Sequence, residues 1–222
     1  MKLVIGNKNY SSWSLRPWLA MRHLEIPFEE ILIPLDLPET KAHILSHSPG
    51  GKVPILKDGD ITVWESLAIL EYLAEKFPDR GVWPEHPAAR AHARTVSCEM
   101  HAGFTALRNA CPMNLRKRFA YRDRGADVTR DVARIQQMWG ECRRRFGREG
   151  PFLFGRFSAA DAMYAPIAAR FESYSMPVDD EVRAYMDALF ETAAFREWKA
   201  AGDAETWVLE HDEVDEPAIS AA

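Results

Sequence analysis

The sequence predicts an α/β N-terminal domain followed by an all-α C-terminal domain. Three observations predict it: strand and helix signals alternate over the first 78 residues, three prolines and a glycine crowd residues 78–87 ("PDRGVWPEHP"), and strand signals vanish beyond them. With 222 residues, 47% of them hydrophobic, the chain can bury a substantial core.

The elements follow in order. Residues 2–6 read as a strand, 15–24 as a helix and 28–33 as a second strand, which together make a βαβ unit. A short helical candidate at 39–46 is followed by a β-hairpin, with strands at 53–57 and 61–64 around the turn Asp58-Gly59-Asp60. A helix carrying Leu67, Ile69, Leu70, Tyr72 and Leu73 is halted at Phe77-Pro78, because proline cannot continue it. Residues 1–78 are therefore read as the first domain and 79–87 as a linker. Apolar residues then recur at spacings of three and four in 88–110, 127–146, 159–174, 179–189 and 193–201, so residues 88–209 are read as a helical domain. The acidic, small-residue end at 210–222 is expected to be a flexible tail.

Composition excludes several function classes. The three cysteines, Cys98, Cys111 and Cys142, form no close pair and no ligand-type spacing, and the seven histidines are scattered, so reduced thiols and no metal are expected. The N-terminus lacks the pattern of a signal peptide and no apolar run reaches 18 residues, so a cytoplasmic protein without a membrane span is expected. Residues 108–148 hold twelve Lys or Arg against four Asp or Glu, and residues 172–216 hold three against fourteen. In a chain of net charge −5 that basic run is expected to be balanced by the acidic segment, with no nucleic-acid partner.

Three stretches carry candidate chemistry. In "NYSSWSLRPWL", residues 9–19, Ser11, Ser12 and Ser14 crowd the start of the first helix, and Pro17 fits a first turn whose N–H groups lack partners. One serine can cap the helix while the others fill the turn; a helix N-terminus beside hydroxyls equally stabilises an anion such as a thiolate. Lys52-Val53-Pro54 opens a strand, either as a simple strand-initial proline or, with a cis bond, as a sheet edge that leaves the Val53 backbone free to pair with a peptide. Trp64-Glu65-Ser66 opens a helix, with Ser66 either a cap or a holder of a carboxylate.

In this order on this frame, the three pieces resemble the cytosolic glutathione transferase family, most closely its zeta-like class. A fourth match is Ser158-Ala159-Ala160-Asp161, a capping-box start like that of the family's central buried helix. The resemblance covers about residues 1–205. It implies a thioredoxin-like N-terminal domain, an all-helical C-terminal domain and a homodimer. It also implies roles. Ser11 looks like the hydroxyl that hydrogen-bonds the glutathione thiolate, with Ser12 as the alternative. Lys52, Val53, Pro54, Glu65 and Ser66 look like the glutathione-binding residues. Tyr10, Trp13, Met100, Phe104, Leu107 and Arg108 are expected to line the electrophile pocket, the last four on one face of the helix at 88–110. Trp13 stands where the zeta-like pattern has cysteine, and Arg170 lies nearer Pro166 than a zeta-type carboxylate-binding arginine would. The implied activity is transfer of glutathione, as cosubstrate, to a small electrophile, with cis–trans isomerisation of an unsaturated dicarboxylate as a variant. A binding or scaffold protein of the same fold is the rival reading.

Overall fold

The protein, described here over residues 1–221 of a computed structural model, builds its N-terminal part on a four-stranded sheet of order β2-β1-β3-β4. β1 (Lys2–Ile5) lies inside that sheet, and its Leu3, Val4 and Ile5 are all fully buried. Alternation sends Leu3 and Ile5 into the main core and Val4 into a smaller cluster with Ile33, Ile44 and Ile55. Because β1 and β2 (Glu29–Leu32) run parallel, a crossover is required, and α1 (Ser12–His23) supplies it. After α2 (Thr40–His47), β3 (Ile55–Asp58) and β4 (Ile61–Trp64) form the expected hairpin, with Gly59 at φ 59° in its turn. α3 (Ser66–Lys76) then ends just before Phe77-Pro78.

The C-terminal part is built around α7 (Ala159–Ser173), nearly all of which is buried. It is preceded along the chain by α4 (Pro87–Ala102), α5 (Thr105–Ala110) and α6 (Ala126–Phe146), and followed by α8 (Asp180–Phe190) and α9 (Ala193–Ala204). The capping box forms: the Ser158 N–H donates to Asp161 Oδ2 at 2.8 Å, and the Leu153 N–H donates to Oδ1 at 3.0 Å. Burial pushes the Asp161 carboxyl up to about 6.

Two expectations are corrected. The helix expected at 88–110 is two helices, broken at Gly103 and at Phe104, which sits in the left-handed region at φ 58°. A Cβ on Gly103 would lie 2.7 Å from the Glu99 carbonyl oxygen, so the chain needs glycine to leave α4 there. Pro17 is the sixth residue of α1, beyond the first turn, and its missing N–H deprives the Trp13 carbonyl of its helical partner. The C-terminal part is helical as expected and carries in addition a small two-stranded sheet, in which β5 (Lys117–Phe119) pairs antiparallel with β6 (Ala218–Ala221). The described residues beyond 209 make contacts with the rest of the chain. Glu213 accepts from the Tyr10 hydroxyl at 2.6 Å and from Lys117 at 2.6 Å, and Glu216 accepts from Arg124 at 2.8 Å.

Those contacts also express the charge balance expected from the sequence. Lys117–Glu213, Arg118–Glu172, Arg124–Glu216 and Arg144–Glu181 each join the basic segment to the acidic one. No helix among the described residues is long and apolar enough to cross a membrane.

Candidate active site

The junction between β1 and α1 is held by side chains from distant parts of the chain. Asn9 receives hydrogen bonds from the N–H groups of Leu115 (2.8 Å) and Arg116 (3.0 Å) and donates to Asn114 at 3.1 Å. Glu205, just past α9, accepts from the N–H groups of Lys8 (2.6 Å) and Asn9 (3.0 Å). The backbone leading into α1 therefore has one fixed path, and Ser11 and Ser12 are delivered at its end.

Ser11 occupies the N-cap position of α1, yet its hydroxyl makes no capping bond. It donates instead to Ser14 Oγ at 2.7 Å, which also receives the Gly6 N–H at 3.1 Å. Both hydroxyls rotate, so the same contact can run from Ser14 to Ser11 and free the Ser11 proton for an incoming acceptor. Ser12 Oγ receives Arg170 Nη2 at 3.4 Å. Of the two readings open in the sequence, simple capping is not what these hydroxyls do.

The other pieces stand as follows. The Val53-Pro54 bond is cis, and neither the N–H nor the C=O of Val53 has a hydrogen-bond partner among the described residues. Lys52 is exposed and unpaired beside them. Glu65 is a non-glycine residue at φ 69°, a sparsely populated conformation that tends to mark functional turns. Its carboxylate lies 3.7 Å from His101, exposed to solvent. Ser66 is the first residue of α3 rather than its cap, and among the described residues the hydrogen-bond partner of its buried hydroxyl is Met163 Sδ, at 3.9 Å.

α7 joins these pieces, because Met163 also receives Arg16 Nε at 3.0 Å through its carbonyl. Arg16 Nη1 donates to the Ser12 carbonyl at 2.8 Å. Two guanidiniums lie over the Trp13 ring, Arg16 4.1 Å and Arg108 4.8 Å from its centroid, and His101 packs edge-on at 5.2 Å. Among the described residues no carboxylate lies within ion-pair distance of Arg16, Arg108 or Arg170. Burial lowers the affinity of all three for their protons; for Arg16 the charges of Arg170 and Arg108 add to it, and Arg170 comes down to about 10 through burial and Arg108.

The expected pocket is narrower than the sequence suggested. Met100 and Leu107 are fully buried in the main core and present no surface to a ligand, and the chain break at Gly103 separates Met100 from Phe104 and Arg108. Tyr10 is buried and engaged by Glu213 and by Arg116, whose Nη2 lies 2.8 Å from its hydroxyl. Trp13, Phe104 and Arg108 remain as lining candidates. Sequence reasoning missed His101, Arg116 and Glu213, which lie in no motif. A groove of about 1410 Å³ lies elsewhere, between the end of α1, the linker and the start of α4, and none of the predicted site residues lines it.

Comparison with known proteins bears on the fold and the site. The family model described as Glutathione S-transferase, N-terminal domain, matches residues 10–76, and that described as Glutathione S-transferase, C-terminal domain, matches residues 125–188. A probable maleylacetoacetate isomerase of Caenorhabditis elegans is 37% identical over 99 residues, which are 44% of this chain and 45% of that protein, so the match spans less than half of this relative. A maleylacetoacetate isomerase of Pseudomonas aeruginosa is 26% identical over 217 residues, 93% of this chain and 99% of that one. A glutathione transferase homologue from Burkholderia, solved with bound glutathione, superposes with a TM-score of 0.69 at 20% identity, over 92% of this chain and 100% of that one.

Proposed function

Because the chain belongs to the glutathione S-transferase family, we propose that it binds glutathione, converts its thiol to a thiolate and adds that sulfur to a small electrophile. One observation carries the reading: the hydroxyl chain Gly6 N–H, Ser14, Ser11, ending at the N-terminus of α1. With a thiolate as last acceptor, each hydroxyl donates onward and the chain ends in a charge-assisted hydrogen bond from Ser11. The helix end adds a favourable field for negative sulfur. A free thiol ionises near about 8.5, so lowering that value is what makes attack fast at neutral pH. Val53 is assigned to the backbone of the cysteinyl unit, Pro54 holds that backbone in place, Glu65 and Ser66 take the γ-glutamyl end, and Lys52 takes the glycyl carboxylate. Titration calorimetry with glutathione and S-methylglutathione tests the reading; no heat with either at millimolar concentration overturns it.

Ser66→Ala tests the γ-glutamyl assignment. A lost hydrogen bond to a carboxylate costs about 1.5–3 kcal/mol, a weakening of affinity of roughly 10- to 150-fold. Turnover at saturating glutathione is expected to stay near that of the unaltered protein, because a contact far from the sulfur stabilises bound ground state and transition state alike. A fall in kcat matching the loss of affinity refutes the assignment.

The arginines around Trp13 favour a second activity at the same site, cis–trans isomerisation of a small unsaturated dicarboxylate by thiolate addition, bond rotation and elimination. Arg108 is suited to a substrate carboxylate, since among the described residues only its Nη1 is hydrogen-bonded, to the Gly103 carbonyl at 3.3 Å. The domain division is placed at 1–78 and 88–209, and the protein is placed in the cytoplasm, in keeping with its three unbonded cysteines. It is assigned as a homodimer, for which light scattering at micromolar concentration should give about twice the chain mass of 25.3 kDa.

A further inference from the structure

Arg170 reaches from the last turns of α7 to the first residue of α1. Its guanidinium is pinned on two sides, by Nε donating to the Cys111 carbonyl at 2.8 Å and by Nη1 donating to the Pro166 carbonyl at 3.1 Å. The remaining nitrogen, Nη2, meets Ser12 Oγ at 3.4 Å. A hydroxyl that accepts from a cation cannot turn its own proton toward that cation, so the proton must point elsewhere. Among the described residues no acceptor takes it. Accepting from a charged donor also polarises the O–H bond and makes it a stronger donor in turn. Ser12 directly follows Ser11, at the same helix end.

We propose that Arg170 is a positioning residue that holds Ser12 as a second hydroxyl donor to the glutathione thiolate, beside Ser11. The proposal rests on the glutathione reading and deepens it. Two donors with different backing then converge on one sulfur: Ser11 is backed by Ser14 and the Gly6 amide, Ser12 by a guanidinium. The charges facing Arg170 leave its field positive on balance. Arg16 on α1 and Arg108 on α5 add to it, the thiol of Cys111 and the phenol of Tyr174 are held neutral by burial, and the Asp212 carboxylate opposes them.

The test is the thiol pKa of bound glutathione, read from thiolate absorbance near 240 nm against pH, with S-methylglutathione binding as control. Ser12→Ala is expected to raise that pKa by about one unit, and Ser12→Thr, which keeps the hydroxyl, to restore it. Arg170→Lys keeps the charge but loses the fork that pins the geometry, so it should also raise the pKa. In the Ser12→Ala background, Arg170→Lys should add nothing. An unchanged pKa in Ser12→Ala overturns the proposal, as does an Arg170→Lys shift of equal size in both backgrounds. If Arg170→Lys does not fold, the Ser12→Ala and Ser12→Thr pair decides alone. Failure of the unaltered protein to bind S-methylglutathione overturns the glutathione reading and this assignment with it; normal binding with an unmoved pKa overturns this assignment only.

Discussion

Ser11→Ala is expected to raise the thiol pKa of bound glutathione by about one to two units, since a hydrogen bond to a charged group contributes about 1.5–3 kcal/mol. Activity near neutral pH should fall by roughly 10- to 100-fold, in step with the lost thiolate fraction, and recover partly as the pH is raised through the new pKa. The sign follows from which species the hydroxyl stabilises: it donates to the thiolate and not to the thiol, so its loss moves ionisation to higher pH. Ser14→Ala should act in the same direction but less, because it leaves Ser11 in place and removes only the hydroxyl that links it to the Gly6 amide. A pH profile of kcat/KM for the two variants checks both, and a Ser11→Ala profile parallel to the original would reassign the sulfur to other donors.

Trp198→Ala is expected to have the largest effect on stability. Trp198 is fully buried on α9, packs edge-on against Trp18 of α1 at 5.0 Å, and its indole N–H donates to the Lys8 carbonyl at 2.9 Å. Lys8 Nζ lies 5.1 and 5.5 Å from the two rings. Truncation empties a large cavity where the two parts of the chain meet and leaves a buried carbonyl unpaired. The cost should be about 3–5 kcal/mol. For a chain of this size that lowers the melting temperature by roughly 6–20 °C. Trp198→Phe keeps most of the ring and loses only the hydrogen bond, so about 1 kcal/mol is expected. Urea unfolding with a lowered midpoint and unchanged slope is the check; a loss below about 1 kcal/mol for Trp198→Ala would mean that α9 is not what ties the two parts together.

Much of this was legible in the sequence where local rules suffice. The strand at 2–6, the hairpin around Gly59 and the helix stopped before Pro78 follow from periodicity and turn chemistry, and the structure has them within a few residues. The break at Gly103 was hidden because apolar spacing continues across it, so periodicity alone reads one helix. β5 was hidden because "KRF" carries neither apolar alternation nor length, and β6 because composition read its segment as a tail. In the site, Ser11, Ser12, Glu65 and Ser66 are marked by their place at helix starts. What those hydroxyls touch was not legible: Arg170 is 158 residues from Ser12, and Met163 is 97 from Ser66. Tyr10 illustrates the same limit, since its ring beside Ser11 suggests a pocket wall while a carboxylate 203 residues away holds its hydroxyl.

That last contact has a consequence for how the chain is made. A ribosome releases the sheet strands and α1 before any helix of the C-terminal part. The loop 7–11 cannot be locked then. Leu35 is one early hydrogen-bond partner, but the others are Asn114, Leu115 and Arg116, then Trp198 and Glu205, and last Glu213. Nascent chains halted before residue 205 should therefore have their serines unset, unable to hold an anion in place. Competence therefore waits on residues 205–213, far along the chain from the serines they set.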